Sequence, residues 1–240
     1  MILNNKKKLL VLVLFAAYQL SHAQGGGPPM ITDDPGTPQK QTFELNISVN
    51  SHISELEKEY EIPLIDLNYG LNERTQLKFE IPYLSYSDTK DEYNKLGSPI
   101  LGVKYRFLDE EKSKISISAY PQITIPINSE EPLEYLLPMQ FEKSFGLTVT
   151  GCEMGFGWTD QGYRFLKSGI IAGRRFGDKY EAMLELAAFY DASSEQWDEI
   201  IVNAGARYLV TKCIIIIVSA GYDLNESKNL QTLLGVQFLF

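Results

Sequence analysis

Three observations in this sequence predict an all-β fold, specifically a transmembrane antiparallel up-and-down β-barrel of about 12 strands with short periplasmic turns and longer external loops. From Thr42 onward apolar and polar residues alternate with period two. Connections between the alternating runs are long and short by turns. A leader of secretory type precedes them.

The leader comes first in the chain. Lys6, Lys7 and Lys8 stand before the apolar run Leu9 to Leu20, and Ser21 and Ala23 supply the small residues of an exit site. That run is 12 residues long, shorter than the roughly 18 to 20 a spanning helix needs, so cleavage after Ala23 is expected. Losing 1–23 removes three lysines and no acids and moves the net charge from −9 to −12. Such an acidic surface argues against nucleic acid as a partner. The chain then divides into a signal peptide, 1–23, a periplasmic lead-in, 24–41, and a barrel, 42–240.

The lead-in, "QGGGPPMITDDPGTP", has neither the alternating oxygen ligands of a calcium loop nor the lysine and helix of a phosphate loop. It reads as a stiff segment, Pro28 to Pro35, that caps or enters the barrel base, with Asp33 and Asp34 setting a turn.

Strands are expected at 42–50, 59–70, 75–84, 98–108, 113–127, 134–145, 147–158, 162–176, 179–191, 197–209, 211–223 and 229–240. In the first, Phe43, Leu45, Ile47 and Val49 share one face; in the third, Leu77, Phe79, Ile81 and Tyr83 do. The fifth alternates for longer than a usual strand of about five or six residues, and that length calls for an explanation. Odd connections such as "SHISELEK" and "SYSDTKDEYNKLG" are long and polar. Even ones are tight: "LNER", "DEEK", Gly146, "GD" and a turn near Leu209 to Val210.

Alternation alone fits a soluble barrel as well as a membrane barrel with its faces reversed. Strands long enough to cross a roughly 30 Å layer, aromatics toward strand ends and the leader favour the membrane form. So does the last strand, where Leu234, Val236, Phe238 and Phe240 share a face and Phe238 and Phe240 resemble a signal for the barrel-assembly machinery. The expected location is the bacterial outer membrane, with its lipid as the surrounding partner.

With the apolar set facing lipid, the lumen is expected to carry Asp66, Lys78, Glu80, Lys104, Arg106, Glu142, Glu153, Arg174, Glu181, Glu185 and Arg207. An outward Lys or Arg at mid-layer would cost about 2 to 4 kcal/mol. These charges read either as salt bridges filling a narrow barrel or as the lining of a polar conduit. No catalytic residue, metal site or cofactor is expected. After loss of the leader His52 is the one histidine, placed in the first external loop without a serine or aspartate relay. Cys152 and Cys213 read as a single bridge or as two unpaired buried thiols.

Gly27, Pro28, Pro29, Thr32, Asp33, Asp34 and Pro35, followed by "LNYGLNERTQLKFEIPY" and "GSPILGVKYRFLDEE", resemble the MetA-pathway of phenol degradation family of outer-membrane proteins. The resemblance implies a transporter-like outer-membrane barrel with a role in uptake of aromatic compounds. The expected function is thus passive passage of small solutes, aromatic or apolar ones included. The alternatives are a closed structural or adhesive barrel that binds a partner through its external loops, and, third, a hydrolase at the barrel rim.

Overall fold

The computed structural model describes residues 27–128, 131–225 and 229–240; the expected signal peptide, 1–23, lies outside the described residues. One antiparallel sheet contains β1 (Phe43–Ile53), β2 (Lys58–Asn72), β3 (Thr75–Ser87), β4 (Glu92–Leu96), β5 (Ile100–Leu108), β6 (Ser116–Ala119) and β7 (Gln122–Thr124). It continues through β8 (Glu134–Phe145), β9 (Thr148–Thr159), β10 (Arg164–Phe176), β11 (Tyr180–Asp191), β12 (Gln196–Thr211), β13 (Ile214–Asp223) and β14 (Leu230–Leu239). A single helical turn, α1 (Glu110–Ser113), joins β5 to β6.

These strands make 12 staves. β4 and β5 are two lengths of one stave, both paired with β3; β6 and β7 are two lengths of the next, both paired with β5 and β8. The wall closes where β1 meets β14, from Glu44 opposite Leu239 to Ile53 opposite Leu230. Closure pairs the wall strands on both sides, as hydrocarbon demands; among the described residues β4, outside the expected membrane span, pairs with β3 alone.

The long run expected at 113–127 resolves into α1, β6 and β7. Asp109 caps α1 by accepting the Glu111 N–H, and Lys114 ends it in the left-handed region at φ 62°. Pro121 has no N–H to give the ladder, so the stave breaks there and the Tyr120 side chain turns inward, 1 % exposed. The external connections are shorter than expected, because β1 runs to Ile53, β3 to Ser87, and β4 forms inside the expected loop. Beyond the membrane both faces of a strand meet water, so alternation vanishes there while backbone pairing continues. His52 is consequently a strand residue opposite Glu59 and Gln231, not a loop residue. The turn expected at Leu209 to Val210 lies instead at Lys212 and Cys213, between Thr211 and Ile214.

Two aromatic belts mark the rims. At the rim carrying the short turns, Phe43 packs on Tyr69 at 4.7 Å and on Phe240 at 5.6 Å, and Tyr180 on Tyr208 at 4.9 Å. Toward the long-loop rim, Tyr135 stacks on Trp158 at 5.3 Å and Tyr190 meets Trp197 at 5.1 Å. Outward positions between them, such as Leu77, Phe79, Val103, Ile170, Leu184 and Val218, are exposed, whereas the inward set is buried and largely polar. Apolar outside and polar inside is the transmembrane arrangement. Cys152 and Cys213 are free and exposed, so neither the bridge nor the buried pair of thiols is found. Cys152 follows the outward parity of β9, and Cys213 sits in a turn.

Candidate functional site

The site is the lumen, and residues 27–38 occupy it. They are gripped by the wall through eight hydrogen bonds, seven of them to their backbone. Arg207 on β12 donates to the carbonyls of Pro28 at 2.8 Å and Gly27 at 3.1 Å, and Ser219 on β13 donates to that of Pro29 at 2.9 Å. Glu185 on β11 accepts the N–H groups of Ile31, at 3.1 Å, and Thr32. Glu153 on β9 accepts that of Asp33 at 3.3 Å. On the opposite wall Lys104 of β5 donates to Asp33 Oδ1 at 3.0 Å and to the Asp34 carbonyl at 2.7 Å.

Local chemistry shapes this plug. Gly27 adopts φ 72°, which lets its N–H reach the Thr32 carbonyl at 2.9 Å and close a tight turn. Asp34 then accepts the Gly36 N–H through its side chain, the Asx turn that an aspartate favours. Inward glycines make room: a Cβ on Gly169 would meet Thr32 Oγ1 at 1.9 Å, and one on Gly205 would meet Met30 Sδ at 2.5 Å.

Around the plug the wall carries charged groups on both sides. On β1 to β5, Lys78 lies 2.6 Å from Glu80 and 3.5 Å from Asp66, and Asp66 also accepts from Asn46 and Asn68. Tyr120 receives a hydrogen bond from Gln76 at 3.1 Å and places its ring 4.6 Å from the Lys104 ammonium. Arg207 is 3.3 Å from Glu181, and Lys167 is 2.6 Å from Glu153. The β10 to β13 side is mixed: Ile171, Met183, Ala187, Ile201 and Ile217 are buried there beside Glu181, Glu185, Asn203, Arg207 and Ser219. Between plug and wall at the short-turn end lies a cavity of about 40 Å³, lined by Asp33, Asp34, Asp66, Lys78, Lys104 and Arg207 among others. That volume holds a few waters at most.

Asp66, Lys78, Glu80, Lys104, Glu153, Glu181, Glu185 and Arg207 therefore face the lumen and are interlinked. Glu142 shares the inward face of β8 with Gln140, nearer the short-turn rim. Arg106 sits at that rim, 3.3 Å from Asp109 and bonded to the Glu73 carbonyl. Arg174 departs from the expected set: it is exposed on the outer wall, donating to Thr148 at 3.3 Å. On β10 the inward parity belongs to Lys167, Gly169, Ile171, Gly173 and Arg175, because small residues there receive the plug. Among the lumen charges that sequence reasoning missed, beside Glu44 and Asp223, is Lys167. Its even spacing from Gly169, Gly173 and Arg175 was the available signal.

Outside the wall, the loop groups carry their own ion pair. Hydrogen bonds from Lys95 at 2.7 Å and Ser98 at 2.6 Å hold the Glu131 carboxyl below its ordinary range.

No family model and no curated protein matches the chain. Solved structures do. An outer-membrane channel from Pseudomonas putida F1 superposes with a TM-score of 0.72 over 90 % of this chain and 100 % of its own, at 13 % identity. The chain is similar in fold to outer-membrane channels. The NanC porin gives a TM-score of 0.61 at 10 % identity, covering 81 % of this chain and 98 % of that one. The KdgM porin gives 0.57 at 14 % identity, covering 80 % and 98 %. The likeness to the phenol-degradation family rests on sequence segments alone, Gly27 to Pro35, 67–83 and 97–111.

Proposed function

We propose that this chain is a bacterial outer-membrane barrel acting as a passive channel for small solutes, closed at rest by its own residues 27–38. The observation that carries the reading is the position of that segment. It fills the lumen but is not part of the wall, being continuous with it only where the chain enters β1. A non-wall segment held by hydrogen bonds can leave without breaking the barrel, and its departure would bare charged groups on both sides with buried apolar side chains of β10 to β13 among them. A lumen of mixed charged and apolar groups suits small solutes that join an apolar or aromatic body to a polar group. Solute swelling of liposomes containing the full chain tests this. Rates above the lipid background, falling with solute size, support the channel, and rates equal to background for every solute refute it.

The second reading is a closed surface barrel that binds a partner through its external hairpins. Two observations favour it: lumen groups such as Gln140 and Asp223 are sealed from water, and β4 pairs with β3 to build a hairpin ending at Asp88–Asp91. Deleting that hairpin should abolish partner binding and leave flux untouched. The opposite result removes this reading. In either, the edge formed by Phe238 and Phe240 is what the assembly machinery would recognise.

A further inference from the structure

Between the two aromatic belts, the outward positions of the described strands carry two charges, Lys143 and Arg174, and no carboxylate. Both side chains are exposed on the wall that faces hydrocarbon. They stand on β8 and β10, with β9 between them and a stagger of two residues along the staves, so their backbones are about 12 Å apart. Thr148 and Thr150 present hydroxyls from the intervening stave, paired with Phe145 and Arg174 and with Lys143 and Ala172 respectively. Each cation lies one outward step inside the short-turn belt: the Lys143 ammonium is 5.5 Å from the Phe145 ring and the Arg174 guanidinium 5.8 Å from the Phe176 ring.

This close to the interface a lone cation costs at most about 1 kcal/mol, and an anion beside it makes the placement favourable. The belt level is where phospholipid headgroups sit. Arg174 and Lys143 are both long enough to reach a common point above β9, where two hydroxyls already face outward. Ala172 and Ala182 keep the wall low beside Arg174, leaving space for a headgroup. A second copy of this wall would bring no carboxylate to the contact. We propose that Lys143, Arg174, Thr148 and Thr150 form a binding site for the phosphate of an anionic phospholipid, seated on the outer wall at the short-turn rim. The cations pair with the phosphate oxygens and Thr148, whose hydroxyl accepts from Arg174, donates to them, while Thr150, bonded to the Lys143 carbonyl, shapes the seat and the acyl chains run up the apolar wall. The inference rests on the membrane-barrel reading, which places this rim in the phospholipid leaflet.

The test is native mass spectrometry of the full chain extracted from vesicles of phosphatidylcholine mixed with phosphatidylglycerol. The wild type should retain phosphatidylglycerol in preference to phosphatidylcholine, and Lys143→Gln with Arg174→Gln should reduce that preference by about fivefold for each cation removed. Lys179→Gln, in the turn at the same rim, should leave it unchanged. Equal preference in wild type and double variant overturns the proposal, as does an equal loss in the Lys179 variant, which would mean general electrostatics. Inorganic phosphate abolishing the preference at matched ionic strength would mark a free-ion site and also overturn it. Heat-modifiable migration of the double variant checks that it folds. Insertion of the wild type into pure phosphatidylcholine vesicles is read separately: failure there sinks the membrane reading, whereas insertion without preference sinks this inference alone.

Discussion

Replacing Lys104 with methionine perturbs the plug most selectively. Lys104 is 3 % exposed and holds both Asp33 Oδ1 and the Asp34 carbonyl. Methionine keeps much of the stem's volume and removes both bonds. Removing one partner of a buried ion pair costs about 3 to 5 kcal/mol, because the remaining charge is left uncompensated. Here the orphaned charge is Asp33, which belongs to the plug and can reach water by undocking. The cost therefore falls on the docked state and not on the barrel, and at about 1.4 kcal/mol per tenfold it moves the docking equilibrium by roughly 100-fold to several thousand-fold. Asp33→Asn should move it less, since Lys104 keeps the Asp34 carbonyl at 2.7 Å and the Tyr120 ring at 4.6 Å. The assay is open probability in planar bilayers, with heat-modifiable migration confirming a folded barrel. A folded Lys104→Met barrel with wild-type open probability, or an Asp33→Asn barrel that opens more than it, would refute the reasoning.

Other perturbations act on the same segment or on the loops. With Cys152 and Cys213 changed to serine, Thr32→Cys plus Gly169→Cys should lock the plug: a Cβ on Gly169 would lie 3.2 Å from Thr32 Cβ, a small relaxation short of disulfide geometry. Oxidation should abolish opening and reduction restore it; opening that ignores redox state would contradict the docked position. Gly70→Ala would set a Cβ 2.0 Å from the Gln39 carbonyl and 2.7 Å from that of Pro38, both backbone atoms. Resting conductance should rise and unfolding in urea come earlier, by about 1 to 3 kcal/mol; neither change would mean that the 38–39 backbone is free to shift. At the long-loop rim, Glu131 has a depressed folded pKa, so its contribution is complete above the unfolded value of about 4.3 and is lost as pH falls through the lower folded one. Protease cleavage near 128–131 should rise only in that acidic window and be insensitive to pH in Glu131→Gln.

The barrel was legible because one physical rule, apolar toward lipid and polar toward the lumen, writes itself on every stave. It failed where another rule competed. At Tyr120–Pro121 the chain keeps its alternation across a break, because the missing N–H of proline is invisible to a hydropathy pattern. At Arg174 the expectation that charge turns inward lost to the need for Gly169 and Ile171 to receive the plug. The lumen charges could be read by parity, but not their partners: Glu185 and Arg207 hold backbone N–H and carbonyl groups of residues more than 150 positions away, which carry no side-chain signature. The stretch from Gly27 to Pro35 showed stiffness and turns in its sequence. Its seat inside the barrel depends on the wall's glycines.

In the proposed channel, residues 27–38 close an otherwise conducting barrel. Conductance of the barrel lacking those residues, beside that of the full chain, measures this directly. The full chain should be closed for most of the recording and the truncated barrel should hold a steady open level. Two folded barrels that are equally silent, or equally conducting, would contradict it.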